Sequence, residues 1–250
     1  MRDFEDLVGE AAGADVTGWG FSWLDGRATE ERPPWGYLQL LTDALARVES
    51  AVDLDTGGGE VIAEVPRLPA SMSVTEAWPP NVARARALLG PRGVQVLETD
   101  AGAPVPLPDH SVELVTARHP VSPQWAEIAR LLAPDGHYLA QHVGPASAVE
   151  LSEHFLGPLP RDGQGRDPEQ EVRAAERAGL ERVELRTARC RMEFFDIGAV
   201  VWILRKCVWW VPDFTVAGYA DRLRDLDAQI RADGVFVAHS TRHLIRACPR

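Results

Sequence analysis

A chain of 250 residues, 45% of them hydrophobic, can bury the core of one α/β domain, and one domain is the default reading. A net charge of −11 with a single lysine, Lys206, supplies no basic stripe for a phosphate backbone, which argues against nucleic acid as a partner. Cys190, Cys207 and Cys248 lie far apart with no CxxC pair, so they indicate neither a disulfide framework nor a zinc site and point to a reducing compartment.

Residues 1–34 begin acidic, without an apolar leader, and carry Trp19, Phe21 and Trp23 among glycines before the Arg32-Pro33-Pro34 break. This stretch reads as an aromatic lead-in, either a lid over a ligand or a segment packed on the domain surface. From Trp35 to Val48, Leu38, Leu41, Leu45 and Val48 recur every three or four residues and predict a helix with one buried face. Residues 1–50 thus form a helical or lid-like N-terminal elaboration.

Ala51 to Ile62 reads as strand, tight turn and helix. The apolar run of Ala51, Val52 and Leu54 meets Asp53, Asp55 and three consecutive glycines, and Glu60 to Glu64 can open a helix. Glycines let a backbone approach a ligand, and a helix start offers free N–H groups to an anionic tail. The dinucleotide fingerprint needs a small residue three positions after Gly59, where Ile62 stands, so a nicotinamide reading loses ground. The segment resembles motif I of class I S-adenosylmethionine-dependent methyltransferases, with Asp53, Gly57 and Gly59 matching. Asp55 departs from it, standing where the family has its first glycine. The resemblance implies that Asp53, Asp55, Thr56, Gly57 and Gly59 surround the cofactor.

After Pro66 and Pro69, Ser71 to Thr75 reads as the second strand and ends in Glu76, 17 residues beyond Gly59. That is near the roughly 20 expected for a ribose-gripping carboxylate, which can accept from both vicinal hydroxyls. Ala77 and Trp78 adjoin it, and Trp78 can cover an adenine face or pack on the protein. Asn81 is the expected N-cap of a helix over Val82 to Leu89. Val94 to Leu97 is the third strand. Asp100 and Ala101 follow it, matching the family position that receives the adenine amine and the neighbouring backbone donor.

The string Leu107-Pro108-Asp109-His110-Ser111-Val112-Glu113-Leu114-Val115 resembles the "LPxPDxSFDLV" of the ubiquinone-biosynthesis branch, or methyltransferase-11-like group. Ser111 to Thr116 is the fourth strand and runs into Ala117-Arg118-His119-Pro120. A helix over Trp125 to Leu132 follows, then an Ala133-Pro134-Asp135-Gly136 turn resembling "LKPGG", then a fifth strand from His137 to Ala140. Five β-α repeats call for a parallel sheet with right-handed crossovers, and ligands of such sheets sit at the carboxyl ends of the strands. Asp53, Glu76, Asp100, His119 and His142 all fall at such ends.

Glu169 to Ala178 is a helix closed by Gly179, Leu180 to Arg191 alternates as a sixth strand, and Val235 to Ala247 is the last. Residues 192–234 between them form a helical insertion, whose aromatic piece from Phe194-Phe195-Asp196 to Trp209-Trp210-Val211-Pro212-Asp213-Phe214 resembles a segment of largely uncharacterised bacterial methyltransferases. In it Val200, Val201, Leu204 and Val208 make a core face, while Trp202, Trp209 and Trp210 are either acceptor-pocket walls or, as the safer reading of any one of them, core residues. The most apolar run, Ile197 to Val211, is too short for a membrane span and is broken by Arg205-Lys206. A cytoplasmic protein is expected.

The implied fold class is α/β: a Rossmann-like class I methyltransferase sheet, mostly parallel with an antiparallel strand at one end, and helical N- and C-terminal elaborations. Residues 51–145 are its cofactor-binding core within a single domain. The implied reaction moves a methyl from S-adenosylmethionine to a small, apolar or partly aromatic acceptor, in the setting of secondary metabolism. Such a transfer depends on holding nucleophile and methyl in line, with a base needed only if the nucleophile keeps its proton. His119 and His142 are the candidate bases, each weighed against a purely structural histidine, and Arg118 a candidate for a carboxylate of cofactor or acceptor. No GxSxG elbow, phosphate-loop lysine or HExxH motif competes, and the seven histidines lack metal-ligand spacing, so no metal is expected. Asp55 keeps open a methyltransferase fold that binds without methylating. An RNA methyltransferase is a further alternative that the acidity opposes, and a homodimer is left open.

Overall fold

The computed structural model describes residues 2–16, 20–160 and 166–250; Trp19 lies outside them. In chain order the elements are α1 (Phe4–Gly13), β1 (Ala28–Glu30), α2 (Tyr37–Leu45), β2 (Ser50–Leu54), α3 (Glu60–Ala63), β3 (Ser71–Glu76), α4 (Pro79–Leu89) and β4 (Gln95–Glu98). They continue with β5 (Val112–Arg118), α5 (Trp125–Leu131), β6 (Leu132–Val143), α6 (Val149–Leu156), α7 (Pro168–Arg177), β7 (Leu180–Phe194), α8 (Ile197–Lys206), α9 (Ala220–Asp233) and β8 (Phe236–Pro249). Strand order is β1-β7-β8-β6-β5-β2-β3-β4. The strands β4, β3, β2, β5 and β6 are parallel and β8 runs antiparallel to β6, a mostly parallel sheet with an antiparallel end as expected; β1, antiparallel to β7, is an addition.

The chain divides into two compact units, one of residues 33–144, 166–188 and 242–250 and the other of residues 1–32, 145–165 and 189–241. In the first unit, strand alternation feeds two faces. Val52, Val115, Tyr138 and Ile245 pack with α5 residues Ile128 and Leu131 and with Ala175 of α7. Their neighbours Ala51, Leu114, Leu139 and Leu244 pack with α2, α3 and α4 residues Leu41, Ile62 and Leu89. Burial on both faces explains why these strands read as continuous apolar runs rather than clean alternations. Strand order reverses at β2, which has β3 on one side and β5 on the other. A reversal of that kind opens a crevice at the strands' carboxyl ends.

The second unit is built on helices. Leu7, Val8 and Ala11 of α1 join Val200, Val201 and Leu204 of α8, Leu151 of α6 and Leu226 of α9 in one cluster. Asp196 starts α8 by accepting from the Ala199 amide at 2.9 Å, and the two-turn apolar run that follows is buried on all sides. Trp202 is part of this core, stacked on Trp23 at 5.6 Å between centroids, so it is not a pocket wall. Neither α1 nor β1 figured among the expected elements.

Three local expectations need correction. The helix after β3 begins at Pro79, not Val82: its N-cap is Trp78, Pro79 and Pro80 fill the first turn where missing N–H groups cost nothing, and Asn81 is buried inside it. The expected turn at 133–136 is instead an excursion within β6, because Val112 pairs with Leu132 and Leu114 with His137. Val208 lies beyond the end of α8 and is 59% exposed, so only Val200, Val201 and Leu204 make the buried face.

Candidate functional site

The turn after β2 combines three residues of positive φ at alternate positions: Asp55 (53°), Gly57 (65°) and Gly59 (85°). The left-handed region repels most side chains, but aspartate is among the few that tolerate it, which accounts for a carboxylate where a glycine was expected. Gly59 has a second reason, since a Cβ built there would meet Leu89 Cδ1 at 2.7 Å. The turn is tied to β3, with the Asp55 amide donating to Thr75 Oγ1 at 3.1 Å and the Thr56 amide to the Thr75 carbonyl at 2.9 Å.

Beneath the turn Asp53 is buried, and its Oδ1 accepts from the Thr116 hydroxyl at 2.6 Å across the β2–β5 pairing. Burial raises its carboxyl from 3.8 to about 6, the Thr116 bond working against the rise. Partial desolvation and then the Glu76 carboxylate raise Asp55 as well, which places three acidic groups in one neighbourhood.

Glu76 closes β3 and is buried. Its Oε1 accepts from the amides of Ala77 at 3.0 Å and Trp78 at 2.8 Å, the latter the capping residue of α4, so the side chain is held by the backbone that follows it. Trp78 itself is 52% exposed. The Thr99 amide donates to the Glu76 carbonyl at 3.1 Å and fixes the exit of β4, where Asp100 and Ala101 are exposed.

These strand ends border an open cleft with about 520 Å³ of atom-free space, solvent at its mouth included. Asp55, Ala77, Asp100 and Ala101 line it, four of the residues singled out from sequence, drawn from the ends of β2, β3 and β4. Thr99, Pro120, Gln124 and Glu127 line it too and were missed. Their only sequence signal was adjacency to Asp100 and to the start of α5. Glu127 owes its place to a bond from the Val105 amide at 2.7 Å and to the Arg130 guanidinium, which first among its partners lowers its carboxyl.

Arg118, His119 and His142 do not line that cleft. His119 follows β5 with φ 60°, its amide bonded to the Gln141 carbonyl at 2.7 Å and its Nε2 to Gln141 Nε2 at 3.1 Å. Trp35 Nε1 donates to Gln141 Oε1 at 2.8 Å, which fixes the amide so that Gln141 Nε2 is the donor. His119 Nε2 is therefore an acceptor in use, and Nδ1 carries the ring proton. Burial, then the positive charge of Arg118, holds this imidazole well below its usual pKa, so it is neutral at pH 7. Gln141, the hinge of this arrangement, was not singled out from sequence.

His142 sits within β6 rather than beyond it. Its Nε2 meets the Tyr138 hydroxyl at 3.0 Å and its Nδ1 meets Glu171 Oε2 at 2.6 Å, so both ring nitrogens are engaged. The two candidate bases thus differ: His119 is a neutral, oriented imidazole, and His142 is engaged in a buried polar cluster.

Residues 52–140 match the family described as a methyltransferase domain. No match was found among curated proteins. The fold resembles a candidate methyltransferase of Bacillus halodurans, 17% identical with a TM-score of 0.58 over 85% of this chain and 99% of that one. A functionally unknown protein of Deinococcus radiodurans is 18% identical, with a TM-score of 0.58 and 99% of both chains covered. Phosphoethanolamine N-methyltransferase 2 of Haemonchus contortus, in complex with S-adenosyl-L-methionine, is 13% identical with a TM-score of 0.53. That match covers 100% of this chain and 61% of that one.

Proposed function

We propose, on the premise that this chain is a class I S-adenosylmethionine-dependent methyltransferase, that the cleft beside the Asp55–Gly59 turn takes the adenosyl part of the cofactor and that the methyl acceptor is a small molecule. One observation carries this reading: residues from three successive parallel strand ends line a single cleft, beside a turn whose backbone alternates into the left-handed region.

The donor set fits a nucleoside. Ribose hydroxyls and an adenine amine are donors, and the chain offers carboxylate acceptors for them. Glu76 Oε1 is held by two amides, which leaves Oε2 to accept from the hydroxyls. Asp100 accepts from the amine while the Ala101 N–H faces a ring nitrogen, and Ala77 and Trp78 cover the base. Gly57, lacking a side chain, admits the methionine end close to the backbone, and Asp53 with Thr56 supports the turn from below. Arg118 balances the methionine carboxylate or that of an acceptor.

The cofactor, when bound, supplies a methyl group activated on sulfur. What the chain adds is alignment and exclusion of water. His119, neutral and protonated on Nδ1, donates a hydrogen bond that orients the acceptor; it becomes a base only where Gln141 gives up Nε2. His142, engaged on both nitrogens, is assigned no proton transfer. The acceptor in this reading is apolar or partly aromatic, of the sort elaborated in secondary metabolism. The net charge of −11 opposes a nucleic-acid acceptor. A cytoplasmic location is supported by three cysteines that form no disulfide among the described residues.

Calorimetry with S-adenosylmethionine and S-adenosylhomocysteine tests this reading. Saturable binding by the wild type is expected, weakened about tenfold or more in Glu76→Gln, which keeps an acceptor for the Ala77 and Trp78 amides but removes the charge. No heat of binding at millimolar ligand would end it.

A further inference from the structure

His142 and His243 are directly opposed in the antiparallel β6–β8 pairing, which sets two imidazoles side by side on one face of the sheet, ring centroids 5.1 Å apart. Glu171, from the first turn of α7, reaches down onto that face. Its Oε2 lies 2.6 Å from His142 Nδ1 and 2.8 Å from His243 Nε2. The three side chains are 2%, 12% and 1% exposed, and their ligand-type atoms all lie within 4.8 Å of one another. Nothing in the methyl-transfer reading uses this cluster, and the sequence hid it because its members stand on three separate elements.

From this geometry we propose that His142 Nδ1, Glu171 Oε2 and His243 Nε2 bind one zinc-type divalent cation, tying α7 to β6 and β8. Two imidazoles and a carboxylate are a ligand set zinc accepts, at about 2.0–2.2 Å per bond, with a fourth position for water. Ligand atoms around such an ion stand roughly 3.4 Å apart, so the Glu171 carboxylate has to withdraw from the two rings by less than about 1 Å. A glutamate on one helix can do this by a small change of rotamer.

The surroundings supply what a coordinating histidine needs. Tyr138, two pleats back on the same face of β6, presents its hydroxyl oxygen to His142 Nε2 at 3.0 Å. When Nδ1 coordinates, the ring proton moves to Nε2 and Tyr138 accepts it as a hydrogen bond, the outer contact that orients metal-bound imidazoles. His243 Nδ1 is buried with no hydrogen-bond partner among the described residues, so no neighbour fixes its tautomer against the same shift. Trp125 stacks on His142 at 6.0 Å between centroids and 27° between planes, which limits rotation of that ring. The buried Glu171 carboxylate, hydrogen-bonded to both rings, acquires a cation.

The test uses the whole chain, stripped with chelator and titrated with Co²⁺ as a visible probe and then with Zn²⁺. We expect one Co²⁺ per chain with the intense visible bands of a four-coordinate site, displacement by Zn²⁺, and a rise in Tm on adding Zn²⁺. Glu171→Gln and His243→Gln, checked for unchanged circular dichroism, should bind about 100-fold more weakly or worse, beyond the loss caused by an outer-contact change. A stripped wild type with no cobalt spectrum and no Zn²⁺-dependent Tm overturns the proposal and leaves a hydrogen-bonded cluster. So does undiminished binding in His243→Gln. The wild-type titration decides even if a variant fails to fold, and cofactor binding does not enter the readout.

Discussion

Asp55 illustrates how a residue can depart from a motif while keeping its geometry. The turn demands positive φ at positions 55, 57 and 59, and aspartate meets that demand where most residues would be strained. Asp55→Gly should therefore change stability by less than about 1 kcal/mol in urea unfolding, since glycine satisfies the same φ and loses only unfolded-state restriction. Its cofactor affinity should stay within about threefold; a large gain would mean that the carboxylate obstructs the site. Asp53 makes a different demand. Raised from 3.8 to about 6 by burial, it holds a proton in the folded chain at pH values where the unfolded chain has lost it. Its own contribution to folding stability is thus full below about pH 4 and is lost as pH rises through 6. Asp53→Asn keeps an acceptor for Thr116 and removes the titration. It should gain on the wild type between pH 4 and 7, by roughly 2–3 kcal/mol at the upper end, measured by urea unfolding without ligand.

Among the elements, the β2-turn-α3 unit was the most legible because its chemistry is local. Glycine clusters and an apolar run dictate a strand, a turn and a helix start whatever surrounds them. Gly59→Ala should break it, because a side chain at φ 85° is strained and its Cβ would lie 2.7 Å from Leu89 Cδ1. A loss of about 2 kcal/mol or more in unfolding stability is expected, with cofactor binding lost in calorimetry. Other elements resisted reading for physical reasons. Two prolines start α4 where the asparagine seemed the natural cap, since proline needs no partner for an absent N–H. α1 carries only Leu7, Val8 and Ala11 as buried residues, too short an apolar stripe to stand out among its acidic neighbours.

At the scale of the molecule, net charge bears on partners rather than fold. With −11 and one lysine, the chain should show no retention of single-stranded RNA or duplex DNA at about 50 mM salt in a gel-shift assay, where basic proteins bind most tightly. Tight, salt-sensitive binding would reopen the RNA alternative. By itself the sequence determined the succession of strands and helices, the glycine turn, and the carboxylates at successive strand ends, because these follow from local propensity and from the rule that parallel strands present their ends together. Only the tertiary structure decided what those ends face. Residues remote in the chain meet through strand pairing and helix packing: Gln141 against His119, and Glu171 between His142 and His243. No spacing in the chain encodes such meetings, since they depend on register and on which face each strand turns to its neighbours.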